Sequence, residues 1–254
     1  MGKSCLQLGR VARNGVSAVH RLRALLDHVD VVRLDHFRGF AAAWHVPSGS
    51  KTAQTGSWVP GPGDSLLREV RTEIGGLPFI AEDLGIITPD VKALRHQFRI
   101  PGTRVLPFAF DGHADNPYLP VNFIPNTVVY TGTHDNATTR QWFEDLPQAQ
   151  RQLVWTSLGR SLGNAAEAAP ALIQVAWASI AALAIAPVQD LLNLGREARM
   201  NIPGQAEGNW RWRCPENIFS ASAFTWLKEI TESTGRIPEF SATADDHTEA
   251  GAVS

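Results

Sequence analysis

Short, almost wholly apolar runs alternate with helical patterns along this chain, and each run ends in a polar signature. The five runs are "VDVVRLDHF", "LPFIAEDLG", "RVLPFAF", "NTVVYTGTHDN" and "LAIAPVQD". Helical spacing covers residues 17–27, where Val19, Leu22, Leu25 and Leu26 share one side. It returns in "SLLREVRTEIG", with Asp64 as the expected cap, and in "TPDVKALRHQF", with Thr88 as N-cap and Pro89 at the first helical position. Further helices are expected at about 147–160, at about 165–182 and in "FTWLKEITEST". Strands that lack polar alternation belong to a parallel sheet covered by helices, so the fold class is α/β. Asp35, Glu82, Asp111, Asp135 and Asp190 all stand at strand C-terminal ends, which form the active face of a (β/α) barrel. An open doubly wound sheet binds ligands there too, but the chain has no glycine fingerprint for a phosphate. A complete barrel takes eight strands in about 250 residues. Five runs therefore predict a partial TIM barrel, about the last five strands with their helices.

The 254 residues, 44% of them hydrophobic, suffice for a sizeable core. The expected organisation is an unmatched segment at 1–19, the barrel portion at 20–240 and a disordered tail at 241–254. A net charge of −2 gives no basic field for nucleic acid. No apolar run reaches the roughly 18 residues of a transmembrane helix, so no membrane partner is expected. Cys5 and Cys214 imply no disulfide framework and favour a reducing compartment. The first acid is Asp27, after five Lys and Arg residues, a composition that organelle transit peptides share. The helical pattern that begins there favours an ordinary start segment instead, and a cytoplasmic location over a plastid one. Residues 40–63 read as a long Gly-, Pro- and Ser-rich loop carrying Trp44, His45 and Trp58. Loops of this length are uncommon unless functional or disordered, and the aromatics argue for function.

"VVRLDHFRGF" places Arg33 and Asp35 two residues apart, hence on one face of a strand. Such a charged pair either stabilises itself or serves chemistry. Asp35, Glu82 and Asp135 each follow an apolar strand. Taken singly, Asp35 could be an ion-pair partner of Arg33 or Arg38, Glu82 a spectator beside a capping Asp83, and Asp135 or Asn136 an Asx-turn residue; three at strand ends point to a site. Two chemistries use such a set. Glycosyl transfer needs paired carboxylates around an oxocarbenium-like transition state. Metal-assisted hydrolysis needs His, Asp and Glu ligands, but His36, His45, His113 and His134 form no HxH or HExxH pair, and no metal is expected.

In "VVRLDHFRGF", "KTAQTGSWVPGPG", "PFIAEDLGIITPDVKALR", "NTVVYTGTHDNATT", "PVQDLLNLGREARMNIPG" and "GNWRWR" the chain resembles the 4-α-glucanotransferases (amylomaltases or disproportionating enzymes) of glycoside hydrolase family 77. These stretches run in the family's order from about His20 to Arg213. The resemblance implies Asp35 as nucleophile, Glu82 as general acid/base and Asp135 as the acid that stabilises the transition state. It makes Arg33 the residue that aims Asp35, and His134 a hydrogen-bond partner of the sugar. Asp83, Trp44 and the loop with Trp58 become substrate contacts, with aromatic faces stacking on glucose rings, whereas core or lid packing is expected of Trp210 and Trp212. The implied reaction is a retaining double displacement on an α-1,4-glucan, with a 4-hydroxyl acceptor and no cofactor.

The chain departs from the family pattern at Ala137, Ser57, Thr103, Pro107, Val121 and Ile202. Its front carries no counterpart of the family's first barrel strands, so the resemblance covers about the C-terminal half of a member. The isolated chain is therefore expected to be a poor enzyme, and to aggregate, to be marginally stable or to depend on a partner, such as a chain that supplies the missing half-barrel. Two readings compete: a related α-glucan hydrolase of the α-amylase type, which would release glucose without longer transfer products, and a non-catalytic glucan-binding remnant.

Overall fold

A parallel sheet of five short strands frames the molecule. In the computed structural model, which describes residues 18–237, the strands are β1 (Val32–Leu34), β4 (Phe79–Ala81), β5 (Gly102–Val105), β6 (Thr127–Tyr130) and β7 (Leu183–Ile185). They lie side by side in the order β1-β4-β5-β6-β7, so β1 and β7 are its edges. Residues 1–17 and 238–254 lie outside the described region, and with them most of the expected leading segment and the whole expected tail.

The register shows which side chains share a face. Arg33 stands beside Ile80, Thr103 beside Val128, Val105 beside Tyr130, and Tyr130 beside Ile185. Strand side chains alternate, so Arg33, Ile80, Val105, Val128, Tyr130, Leu183 and Ile185 fall on one face. Leu34, Phe79, Ala81, Arg104 and Val129 fall on the other. Among the described residues, helices cover only this second face. At one end, Val19 of α1 (Ala18–Leu26), Leu67 and Val70 of α3 (Gly63–Ile74) and Val91 and Leu94 of α4 (Pro89–Gln97) pack on Leu34, Phe79 and Ala81. The very short α2 (Arg38–Ala41) joins them through Phe40 and Ala41. At the other end, Leu172, Ile173, Ala176 and Trp177 of α7 (Ala165–Ala178) and Ile230 of α9 (Ala221–Ser233) pack on Val129. The first face has only the small cluster of Ile80, Val105, Val128 and Tyr130. Leu183 and Ile185 there remain 46% and 37% exposed.

Local chemistry sets the helix ends. Gly75 closes α3 at φ +83°, a left-handed position that side chains other than glycine resist. Asp64 is not the cap. It sits in the first turn of α3, where its carboxylate accepts from Arg68 at 2.9 Å and from Gln97 at 2.5 Å. Thr88 precedes Pro89 as expected but makes no side-chain capping bond. Asn164 does cap α7, in a reciprocal box with Glu167. Pro170 lies inside that helix and has no N–H for the Ala166 carbonyl. Asn193 Nδ2 donates to that carbonyl instead, at 2.8 Å, and ties α7 to the turn after α8 (Val188–Leu191).

Three further expectations change. The run "RVLPFAF" is strand only to Val105; Leu106–Ala109 is a 3-10 turn, because Pro107 cannot donate to a ladder. The expected loop at 40–63 contains an antiparallel hairpin, β2 (Ala42–His45) with β3 (Ser57–Pro60). A further helix, α5 (Thr139–Asp145), precedes α6 (Gln148–Ser157). No helix among the described residues is long and apolar enough to cross a membrane.

The Pro170 repair is testable by urea unfolding. Asn193→Asp removes the donor, keeps a side chain that tolerates φ +54°, and should cost about 1–2 kcal/mol. In a Pro170→Ala background the helix regains its own N–H, and the cost should shrink. Equal costs in both backgrounds would refute the repair.

Candidate active site

Glu82 is held from both sides by main chain. Its own N–H donates to the Leu34 carbonyl at 3.0 Å, and its carbonyl accepts from Phe37 N–H at 3.0 Å. The side chain accepts from His36 N–H at 2.8 Å and from Leu84 N–H at 3.3 Å. His36 can present its N–H there because its backbone is left-handed, φ +49°. Non-glycine residues adopt that conformation infrequently, histidine more readily than most.

Asp35 follows β1 on the uncovered face of the sheet, as Arg33 does. Arg33 Nη2 lies 3.8 Å from Asp35 Oδ1, an ion pair too long for a hydrogen bond. The Asp35 side chain is 85% exposed, so this pairing is weak. Asp135 sits in the loop after β6. Its Oδ1 accepts from Asn201 Nδ2 at 2.5 Å and lies 3.4 Å from His134 Nε2. Arg199 donates to the Asp135 carbonyl at 3.3 Å. The loop is shaped by Asn136, whose side-chain oxygen accepts from the Thr133 N–H and hydroxyl. Arg33, Asp35, Glu82 and Asp135 together line one open cleft of about 580 Å³, with His36, Phe108, Tyr118 and Thr133 in its walls. Three acids from three strand ends thus share one open space, an arrangement that suits acid/base and nucleophilic chemistry.

His134 lies beside this cleft rather than in its wall. Its ring packs on Trp210 at 5.2 Å and borders a neighbouring cavity of about 180 Å³. Trp44 and Trp58 face each other across the hairpin, rings 5.4 Å apart, and are 41% and 52% exposed. They form no part of the cleft wall. Arg38 stacks over Trp58 at 4.4 Å and donates to the Ile86 carbonyl, which fastens the hairpin to the loop after Glu82. Gly56 is required here: a Cβ would lie 2.4 Å from the Trp44 ring.

The expectation that Asp83 touches substrate is corrected. Alternation sends it to the face opposite Glu82. It is 4% exposed and accepts from Thr103 N–H at 2.8 Å, with Arg95 Nε at 3.1 Å and Arg104 Nη1 at 3.4 Å. Gly102 leaves room for it, since a Cβ would meet the carboxylate at 2.7 Å. Tyr118, Phe108, Asn201, Arg199 and Trp210 were not among the expected site residues. Only the quoted stretches "ARMNIPG" and "GNWRWR" held a signal for the last three. Among the described residues no three His, Cys, Asp or Glu side chains gather as a metal site requires.

Residues 16–218 match the model of the glycoside hydrolase family 77, described as 4-alpha-glucanotransferase, and the chain belongs to that family. It is 47% identical over 220 residues to a 4-alpha-glucanotransferase of Synechocystis sp., covering 86% of this chain and 43% of that protein. Identity to the 4-alpha-glucanotransferase of Thermus thermophilus is 42% over 224 residues, 86% of this chain and 45% of that one. Among solved structures, an amylomaltase from Streptococcus agalactiae in complex with acarbose superposes with a TM-score of 0.81 at 30% identity, over 90% of this chain and 46% of that one. The chain thus spans less than half the length of these relatives.

Asp190 supports the loop of Asp135 from below. It is 1% exposed and accepts from the Thr131 hydroxyl at 2.6 Å, Thr139 N–H at 2.7 Å and the Thr139 hydroxyl at 2.8 Å. Burial pushes its carboxyl above the ordinary 3.8, although these bonds oppose the shift. The native state therefore keeps the proton at pH values where the unfolded chain has lost it. The stability this group contributes is greatest below the ordinary value and falls as pH rises through the native one. In urea unfolding, the difference between wild type and Asp190→Asn should move in the variant's favour as pH rises above about 4, then level off. A difference independent of pH would contradict this.

Proposed function

We propose that this chain carries the catalytic acids of a 4-alpha-glucanotransferase, acting on α-1,4-glucans by a retaining double displacement. The observation that carries the reading is the convergence of Asp35, Glu82 and Asp135 on one cleft at the strand C-termini, in a chain of this family. Asp35 attacks the anomeric carbon while Glu82 protonates the departing glycosidic oxygen. Glu82 then takes the proton of an acceptor 4-hydroxyl, which displaces Asp35 and restores the α linkage. Asp135, oriented by Asn201, stabilises the positive charge of the transition state. His134 bonds the sugar beside it, Arg33 aims Asp35, and the exposed Trp44 and Trp58 of the hairpin offer stacking faces. The relative solved with acarbose supports a glucan-like ligand.

The sheet is read as part of a (β/α)8 barrel. Helices on one face only and acids at one end are barrel features, because a doubly wound sheet is covered on both faces. Closure then requires strands that pair with the edges β1 and β7, from elsewhere in a longer chain or from a partner polypeptide. The location read for this enzyme is cytoplasmic.

The test is maltotriose incubated with the chain joined to, or mixed with, the N-terminal half of a relative. Transfer should give glucose together with longer maltodextrins. Glu82→Gln should keep the fold and lower the rate by about 10²–10⁴-fold, and Asp35→Asn should prevent a trapped glycosyl-enzyme. A complemented enzyme that keeps its rate in Glu82→Gln, or traps sugar on another residue, would overturn the reading. Glucose without longer products would favour hydrolysis instead.

A further inference from the structure

Behind the acid cleft, between α4 and the loop at 117–124, lies a separate cavity of about 310 Å³. Lys92, Arg95, His96 and Arg104 line it, and Asp83 is the one acid in its wall. Three permanent cations therefore face a single carboxylate. That carboxylate is already committed to the Thr103 N–H and shared between two guanidinium groups. Arg95 is 3% exposed. Its Nε lies 3.1 Å from Asp83 Oδ2, yet no hydrogen bond to it is aligned. Its other nitrogens donate to the Ile100 carbonyl and His96 Nε2. Burial works against its charge, the nearby Asp83 carboxylate opposes that shift, and Arg104 adds a smaller repulsion. Asp83 balances one of these cations, and the charges of the half-buried Arg104 and the exposed Lys92 exceed what the one acid in the wall can offset.

We infer that this cavity is a binding site for a compact dianion, a phosphate group either free or as the monoester of a small sugar. Arg104 Nη1 is committed to the Thr103 carbonyl at 2.7 Å and to Asp83 at 3.4 Å, which leaves the Nε and Nη2 edge of its guanidinium for phosphate oxygens, and Lys92 offers a mobile point charge at the exposed rim. The cavity has the volume for a phosphate with one sugar ring. Gly85 and Tyr118 border both this cavity and the acid cleft, and Arg104 sits 5.7 Å from the Tyr118 ring centre. An occupant would thus lie directly behind the loop that carries Glu82.

The inference concerns binding alone, so it can fail while the proposed transferase reading stands, and the reverse. The experiment titrates the full chain with inorganic phosphate and, separately, with glucose 1-phosphate, by calorimetry at constant ionic strength in chloride. Saturable 1:1 binding with a Kd of about 1 mM or tighter is expected for at least one of them. Equal affinities identify the phosphate alone as the ligand; tighter binding of the ester shows that the sugar is read as well. Arg104→Gln should weaken binding at least about tenfold. Because Arg104 also pairs with Asp83 and its loss could disturb folding, Lys92→Gln, on the exposed rim, is the second variant and should weaken binding several-fold with an unchanged unfolding midpoint. No saturable binding of either anion, or binding indifferent to Lys92→Gln in the folded protein, would overturn the assignment.

Discussion

Everything in this structure depends on the two-residue alternation of short parallel strands that are covered on one face only. Consecutive side chains must go opposite ways, and the two faces meet different surroundings. Glu82 goes to the open face and Asp83 to the covered one, so two adjacent acids have unrelated jobs. Asp83 is buried against Arg95 and Arg104 and holds α4 and β5 against the end of β4. Glu82 is left in the cleft, fixed by main-chain donors from the β1 side and from its own loop. The pattern recurs at β6. Tyr130 belongs to the open face, whereas Thr131 bonds the buried Asp190 under α5.

This division explains how the acids are placed without a rigid pocket around them. Glu82 and Asp135 are anchored through backbone or through a neighbouring side chain, whereas Asp35 has only its weak pairing with Arg33. His36 contributes its N–H, Asn201 an amide, and Asp190 the floor beneath the loop of Asp135. Hydrogen bonds of this kind contribute about 1 kcal/mol each. Their joint effect is to fix positions, which is what a site built at strand ends needs.

The strands were legible in the sequence because apolar residues fill them and polar residues end them. The alternation also told that Arg33 and Asp35 share a face. Applied one step further along "AEDLG", it would have separated Glu82 from Asp83. The hairpin was not legible: "AAWH" and "SWVP" show no apolar alternation, and flanking Gly, Pro and Ser read as loop. Its strands hold together through a Trp44–Trp58 pair with little burial elsewhere, a signal that resides in cross-strand partnership and not in either segment. The helix at Thr139–Asp145 was hidden because its start signal, Thr138 accepting from Gln141 N–H, lies inside "NATT", which also reads as a turn. Asn201 and Trp210 reach the site from 66 and 76 residues beyond Asp135 and His134, a distance at which local pattern carries no information.

The exposure of Asp35 bears on what the proposed chemistry can yield. A glycosyl-enzyme formed on a carboxylate that is 85% exposed would meet water far more often than an acceptor hydroxyl. Transfer outcompetes hydrolysis only where water is excluded and the acceptor is held in line. None of the described residues roofs Asp35. The hairpin with Trp44 and Trp58 stands aside from the cleft, and the face beneath the acids is open at Leu183 and Ile185. The same groups that would pair with β1 and β7 and cover that apolar face would also close the cleft over Asp35. Completion of the sheet and selection of transfer over hydrolysis are, on this reading, consequences of one event: burial of the open face.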